Sequence, residues 1–87
     1  MKKPRPNYVS RQEKCGLKVG DVVTVFKTAR EGENGWRNVW ITSMNFAVGK
    51  TFTIKYFSEA AGIYLVSAKP SDVGSHLYYP YFVLKKV

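Results

Sequence analysis

The chain has one cysteine, Cys15, in 87 residues. No disulfide can close within it, which excludes a disulfide-stapled secreted scaffold. Histidine is equally scarce, with His76 alone. A Cys–His nucleophile pair needs both side chains in contact, and nothing in the spacing of these two favours that. A zinc site needs about three or four Cys, His or carboxylate ligands, and no such cluster is visible. Long apolar runs are missing too. No stretch approaches the roughly 20 apolar residues of a membrane span. The opening Met1-Lys2-Lys3-Pro4-Arg5-Pro6 reads like the charged start of a signal peptide, but no apolar run follows it. A soluble intracellular protein with no membrane partner is expected.

Acidic residues are the last scarcity. Six Asp and Glu face fourteen Lys and Arg, a formal charge of +8. Such a surface attracts polyanions such as nucleic acid or an acidic protein. Charge reports steering, not specificity.

What is present is apolar and aromatic: 45% hydrophobic and 15% aromatic residues, enough for one small core. A chain of this size is one domain that buries roughly 60% of its unfolded surface. Residues 1–14 read as a flexible basic tail and 15–87 as the folded domain. The tail carries Lys2, Lys3, Arg5, Arg11 and Lys14 against Glu13 alone, half of the net charge. Pro4 and Pro6 oppose helix, and only Tyr8 and Val9 offer anchors. The tail is either a solvated, disordered terminus or an arm that follows phosphates.

Alternating β-branched and aromatic residues predict five strands, over 22–28, 50–57, 63–68, 76–79 and 83–87. The stretch from Trp40 to Tyr56 organises them, with an apolar cluster, a glycine turn and the cleanest strand. Alternation places Phe52, Ile54 and Tyr56 on one face of that strand, and Thr51, Thr53 and Lys55 on the other. An internal echo supports the register: residues 19–25 and 48–54 share V-G-x-x-[apolar]-T-[apolar]. It assigns Val23 and Val25 the inward role of Phe52 and Ile54. One short turn is expected at 42–46 and another at 80–82, where Pro80 interrupts the chain. The expected core is Val23, Val25, Trp40, Phe52, Ile54, Ile63, Leu65, Phe82 and Leu84.

Several fragments together resemble SH3-like small β-barrel proteins encoded by bacteriophages. They are G-D-V-V-T-V at 20–25, W-x-x-x-M-x-x-x-x-G-K at 40–50, G-I-Y-L at 62–65 and Y-P-Y-F-V-L at 79–84. A looser similarity extends to the barrel module of mind-bomb-type ubiquitin ligases. The resemblance implies an all-β, SH3-like small five-stranded barrel and an accessory protein of the host cytoplasm. It departs from peptide-binding SH3 domains, because no acidic loop with a paired tryptophan faces a proline-ligand groove.

Catalysis finds little support. Gly49-Lys50-Thr51 ends like a phosphate loop, but Met44 stands where the first glycine belongs and a strand follows where a helix is required. Glu31 and Glu33 share a loop without a partner base. A non-enzymatic module without cofactor or small-molecule substrate is expected. Its partner is nucleic acid, DNA or RNA, held by stacking aromatics and phosphate-neutralising cations. The alternative is an acidic host protein gripped by Tyr and Trp anchors. Candidate contacts are Lys2, Lys3, Arg5, Arg11, Phe26, Arg30, Trp36, Arg37, Lys55, Tyr64, Tyr78 and Tyr81. Trp36 in the 30–38 loop either stacks on a partner or folds back over the domain.

Overall fold

The two V-G segments find each other and become the centre of the sheet. In the computed structural model, whose described residues are 7–67, 69 and 73–87, β1 (Val22–Val25) runs antiparallel to β2 (Thr51–Ser58) with Val23 opposite Phe52. The Gly20 N–H donates to the Ile54 carbonyl at 2.8 Å, and the Gly49 N–H donates to the Val25 carbonyl at 2.6 Å. In return the Ile54 N–H donates to Asp21 and the Val25 N–H to Lys50, at 2.9 and 3.1 Å. The copies thus bond reciprocally, position for position, about a local twofold at the Val23–Phe52 pair. Both glycines hold positive φ, 94° and 91°, which turns the chain into each strand without the strain a side chain would meet.

Three further strands, β3 (Gly62–Val66), β4 (Leu77–Tyr79) and β5 (Leu84–Lys86), complete one antiparallel sheet in the order β4-β3-β2-β1-β5. β4 and β5 are its edges, and the sheet is not closed. Among the described residues helix is confined to α1 (Asn7–Glu13), the one-turn α2 (Thr42–Asn45) and 3₁₀ turns at Glu33–Gly35, Glu59–Ala61 and Tyr81–Val83. The one antiparallel sheet is therefore the principal element, as the alternation predicts. No helix among the described residues is long and apolar enough to cross a membrane.

The core sits on one side of this sheet. Val23, Val25, Phe52, Ile54, Ile63, Leu65 and Leu84 are buried as expected. Trp40 and Phe82 are only partly buried and pack against that core. Two other aromatics take the central places. Trp36 is fully buried, and its indole N–H donates to the Ala61 carbonyl at 2.7 Å. Tyr79 is fully buried with its hydroxyl donating to the Gly74 carbonyl at 2.6 Å. Trp36, Trp40, Tyr79 and Phe52 form a continuous ring-to-ring chain with centroid spacings of 5.8–6.5 Å. Edge-on and offset contacts of this kind add to simple area burial.

The expected flexible tail is corrected over residues 7–13, which form α1. Seven residues are too few for a helix to persist alone in water, so docking holds it. Tyr8, Val9 and Gln12 lie on one face at helical spacing and are buried. The Tyr8 hydroxyl donates to Gln12 Oε1, and Gln12 Nε2 donates to the Glu59 carbonyl at 2.8 Å. The Tyr8 ring lies 5.3 Å from Tyr81, and the Tyr81 N–H donates to the Tyr8 hydroxyl at 3.3 Å. Burial pushes the Tyr8 hydroxyl pKa up. Lys2, Lys3 and Arg5 lie outside the described residues.

Two outcomes check this packing. Tyr8→Ala is expected to lower unfolding free energy in urea by about 3 kcal/mol, the usual cost of deleting a buried aromatic; a tail without a structural role would leave it unchanged. Gly62 holds φ 118°, and a β-carbon there would stand 2.6 Å from the Tyr79 carbonyl and 3.1 Å from Trp36 Nε1. Gly62→Ala is expected to cost about 1–3 kcal/mol through overpacking and strain, read in the same titration.

Candidate nucleic-acid interface

A single β-bulge builds the most distinctive surface of the molecule. Along β2 and β3 the pairing runs Ile54 with Leu65, then Tyr56 with Tyr64, so Lys55 is an extra residue on β2. The bulge reverses the alternation beyond it. Tyr56, expected on the face of Phe52 and Ile54, instead turns outward and is 40% exposed. Phe57 turns toward the core in its place and packs against it. Tyr56 now stands beside Tyr64, which pairs with Tyr78 on β4.

The three tyrosines close into a compact triad on the outer sheet face. Tyr56 and Tyr64 are stacked with centroids 4.8 Å apart and planes 16° from parallel. Tyr78 tilts against Tyr64 at 4.9 Å and meets Tyr56 edge-on at 6.0 Å. The hydroxyls of Tyr56 and Tyr78 hydrogen-bond to each other. That bond, together with desolvation, pushes the Tyr56 pKa up to about 12. His76, in a left-handed conformation with φ 62° that is uncommon outside glycine, places Nδ1 3.3 Å from the Tyr64 hydroxyl.

Beside the triad lies an open groove of about 590 Å³, lined by Val22, Lys50, Thr51, Thr53, Ser67 and Lys69 among others. Register places the two next to each other on the sheet. Thr53 pairs with Val66, and Val66 shares the outward face with Tyr64 two residues earlier. Two lysines and several hydroxyls line the groove, and none of its described lining residues is acidic. Lys55, exposed on the bulge, adds a third cation at the same face.

The sequence-derived candidates among the described residues are scattered over the surface, and one is buried. Lys55, Tyr64 and Tyr78 meet on this outer face. Tyr81 packs on Tyr8, and Arg11 is exposed on α1. Phe26 is 49% exposed, and the Lys27 ammonium lies 5.9 Å from its ring centroid and 5.7 Å from that of Phe82. Among the described residues no ring contact joins that cluster to the triad. Arg30 and Arg37 are exposed on the loop, where the Arg30 N–H donates to Glu33 Oε1 and the Arg37 N–H to the Ala60 carbonyl. Trp36 is withdrawn as a contact residue. Its buried indole finds a backbone acceptor inside the fold, which satisfies its polar edge and leaves no face for a ligand.

Tyr56, His76, Lys50 and Lys69 belong to the face although alternation and motif did not select them. One signal was available: Tyr56-Phe57 places two aromatics in succession on a strand with one apolar face, which marks a break in alternation. Among the described residues no group of three or more His, Cys, Asp or Glu is placed to hold a metal ion. Comparison of the chain with protein-family models, curated proteins and solved structures gives no match.

Spectrophotometric titration tests the triad. One tyrosine is expected to ionise near pH 12, and Tyr78→Phe should return it toward the ordinary value of about 10. The raised pKa favours the neutral, folded-state hydroxyl. Its contribution to stability is full below about pH 10 and is lost as pH rises toward about 12.

Proposed function

We propose that this chain is a non-enzymatic nucleic-acid-binding module built on an SH3-like small barrel. One arrangement carries the reading: the Tyr56–Tyr64–Tyr78 triad stands on the outer face of β2–β4, the groove lined by Lys50 and Lys69 lies next to it along β2, and Lys55 sits on the bulge. Aromatic rings next to cations hold bases by stacking and phosphates by charge. The chain's net +8 steers it to polyanions. Strand order β4-β3-β2-β1-β5, the Tyr81–Val83 turn before β5 and the parallel bridge from Val25 to Val48 support the barrel assignment. The motif resemblance to bacteriophage SH3-like proteins supports an accessory role in a host cytoplasm.

A second reading rests on a different surface. Val39, Ile41, Phe46 and Val48 are each at least 36% exposed within ten residues around α2. Large exposed apolar side chains gathered in one segment fit an adaptor that docks on a host protein.

Fluorescence anisotropy with labelled DNA and RNA, at about 50 and 200 mM salt, separates the two. Binding is expected to weaken steeply between these salts. The double substitution Lys50→Ala/Lys69→Ala should reduce the salt slope by about 1.4 on a single strand, at about 0.7 per phosphate. A chain beginning at Asn7 removes Lys2, Lys3 and Arg5 while leaving α1 in place, and should retain binding to the sheet face. Absence of binding at low salt removes the nucleic-acid reading and favours the adaptor.

A further inference from the structure

Resting on that reading, we infer that the nucleic acid taken by this face is an unstacked single strand, with a footprint of about four to six nucleotides. Three features of the site carry this.

The first is width. The triad lies on β2, β3 and β4 in a five-stranded sheet. Strands stand about 4.8 Å apart, so the outer two of five lie about 19 Å apart. A B-form major groove is only about 12 Å wide and admits a helix or a two-stranded ribbon. This face cannot enter a groove to reach base edges. A duplex can meet it only through phosphates.

The second is the fixed state of the rings. Intercalating wedges protrude between base steps. Here Tyr56 and Tyr64 cover each other at 4.8 Å, and the Tyr56–Tyr78 hydroxyl bond ties the third ring to the first. No base fits between them and none of them stands free as a wedge. What remains is the exposed part of Tyr56, which offers a ring to a base already out of its stack. Single strands present such bases and duplexes do not.

The third is length. From Lys50 to Tyr56 the strand covers about 20 Å at roughly 3.3 Å per residue. A stacked strand rises about 3.4 Å per nucleotide, so this span holds about six. Unstacking lengthens each step and lowers the number toward four. Lysines at 50, 55 and 69 bracket that path with phosphate partners.

The test measures anisotropy of a labelled oligothymidine of about six nucleotides and of a blunt duplex of matched charge, at one salt concentration, using the full chain. The single strand is expected to bind at least about tenfold tighter. Tyr56→Ala should weaken single-strand binding about five- to hundredfold, the range for loss of one stacked base, and leave duplex binding unchanged. Wild-type aromatic NMR shifts supply a second readout that does not depend on the altered triad keeping its fold. Upfield movement of the Tyr56 ring protons with the oligothymidine, and none with duplex, supports stacking. Equal or tighter duplex binding, with Tyr56 silent in both readouts, overturns the single-strand inference and leaves a purely electrostatic nucleic-acid site. No binding of either ligand at low salt overturns this inference and the proposed function together.

Discussion

The fold depends on the reciprocal pairing of residues 19–25 with residues 48–54. Four backbone hydrogen bonds flank the β1–β2 ladder and tie the two glycine-led segments about the Val23–Phe52 pair. Each segment supplies the same donors and acceptors at the same positions, so satisfying one copy satisfies the other. This long-range contact also sets register. It sends Val23, Val25, Phe52 and Ile54 to one side together, and a shift by one residue would expose all four. β5 then adds to the free edge of β1 and β3 to the free edge of β2.

The aromatic content is distributed by what can satisfy a polar edge. Trp36 and Tyr79 go inside because the Ala61 and Gly74 carbonyls are within reach of the indole N–H and the phenol. Tyr8 goes inside because Gln12 and the Tyr81 N–H answer its hydroxyl. Tyr56, Tyr64 and Tyr78 stay outside, where their hydroxyls serve one another, His76 and solvent. A buried hydroxyl without a partner is costly, and among the described side chains no buried nitrogen or oxygen lacks one. The same rule therefore separates the structural tyrosines from those that form a surface.

Strand positions, both glycine turns, the turn after Pro80 and seven of nine core residues were legible as local pattern, because alternation and turn chemistry act over a few residues. The site was legible in part. Lys55, Tyr64 and Tyr78 could be read as outward residues from alternation alone. Tyr56 could not, because a bulge is a property of two paired strands and neither strand shows it by itself. Trp36 sits in a loop with two glycines, where the sequence permits both a buried and a stacking ring. Helix α1 was hidden for a related reason: seven residues carry too little propensity to declare a helix, and only the surface they dock on makes one.

The sequence by itself determined the strand-rich class, the basic charge, the turn positions and the inward places of Val23, Val25, Phe52 and Ile54. These follow from composition and short-range periodicity. Tertiary structure alone decided which tryptophan entered the core, that residues 7–13 would dock as a helix, and that three tyrosines from three strands would meet beside a lysine-lined groove. Each of those outcomes depends on partners far apart in the chain: Ala61 for Trp36, Tyr81 and Glu59 for α1, and the β2–β3 register for the triad. Only closure of the fold brings such partners within hydrogen-bonding or van der Waals reach.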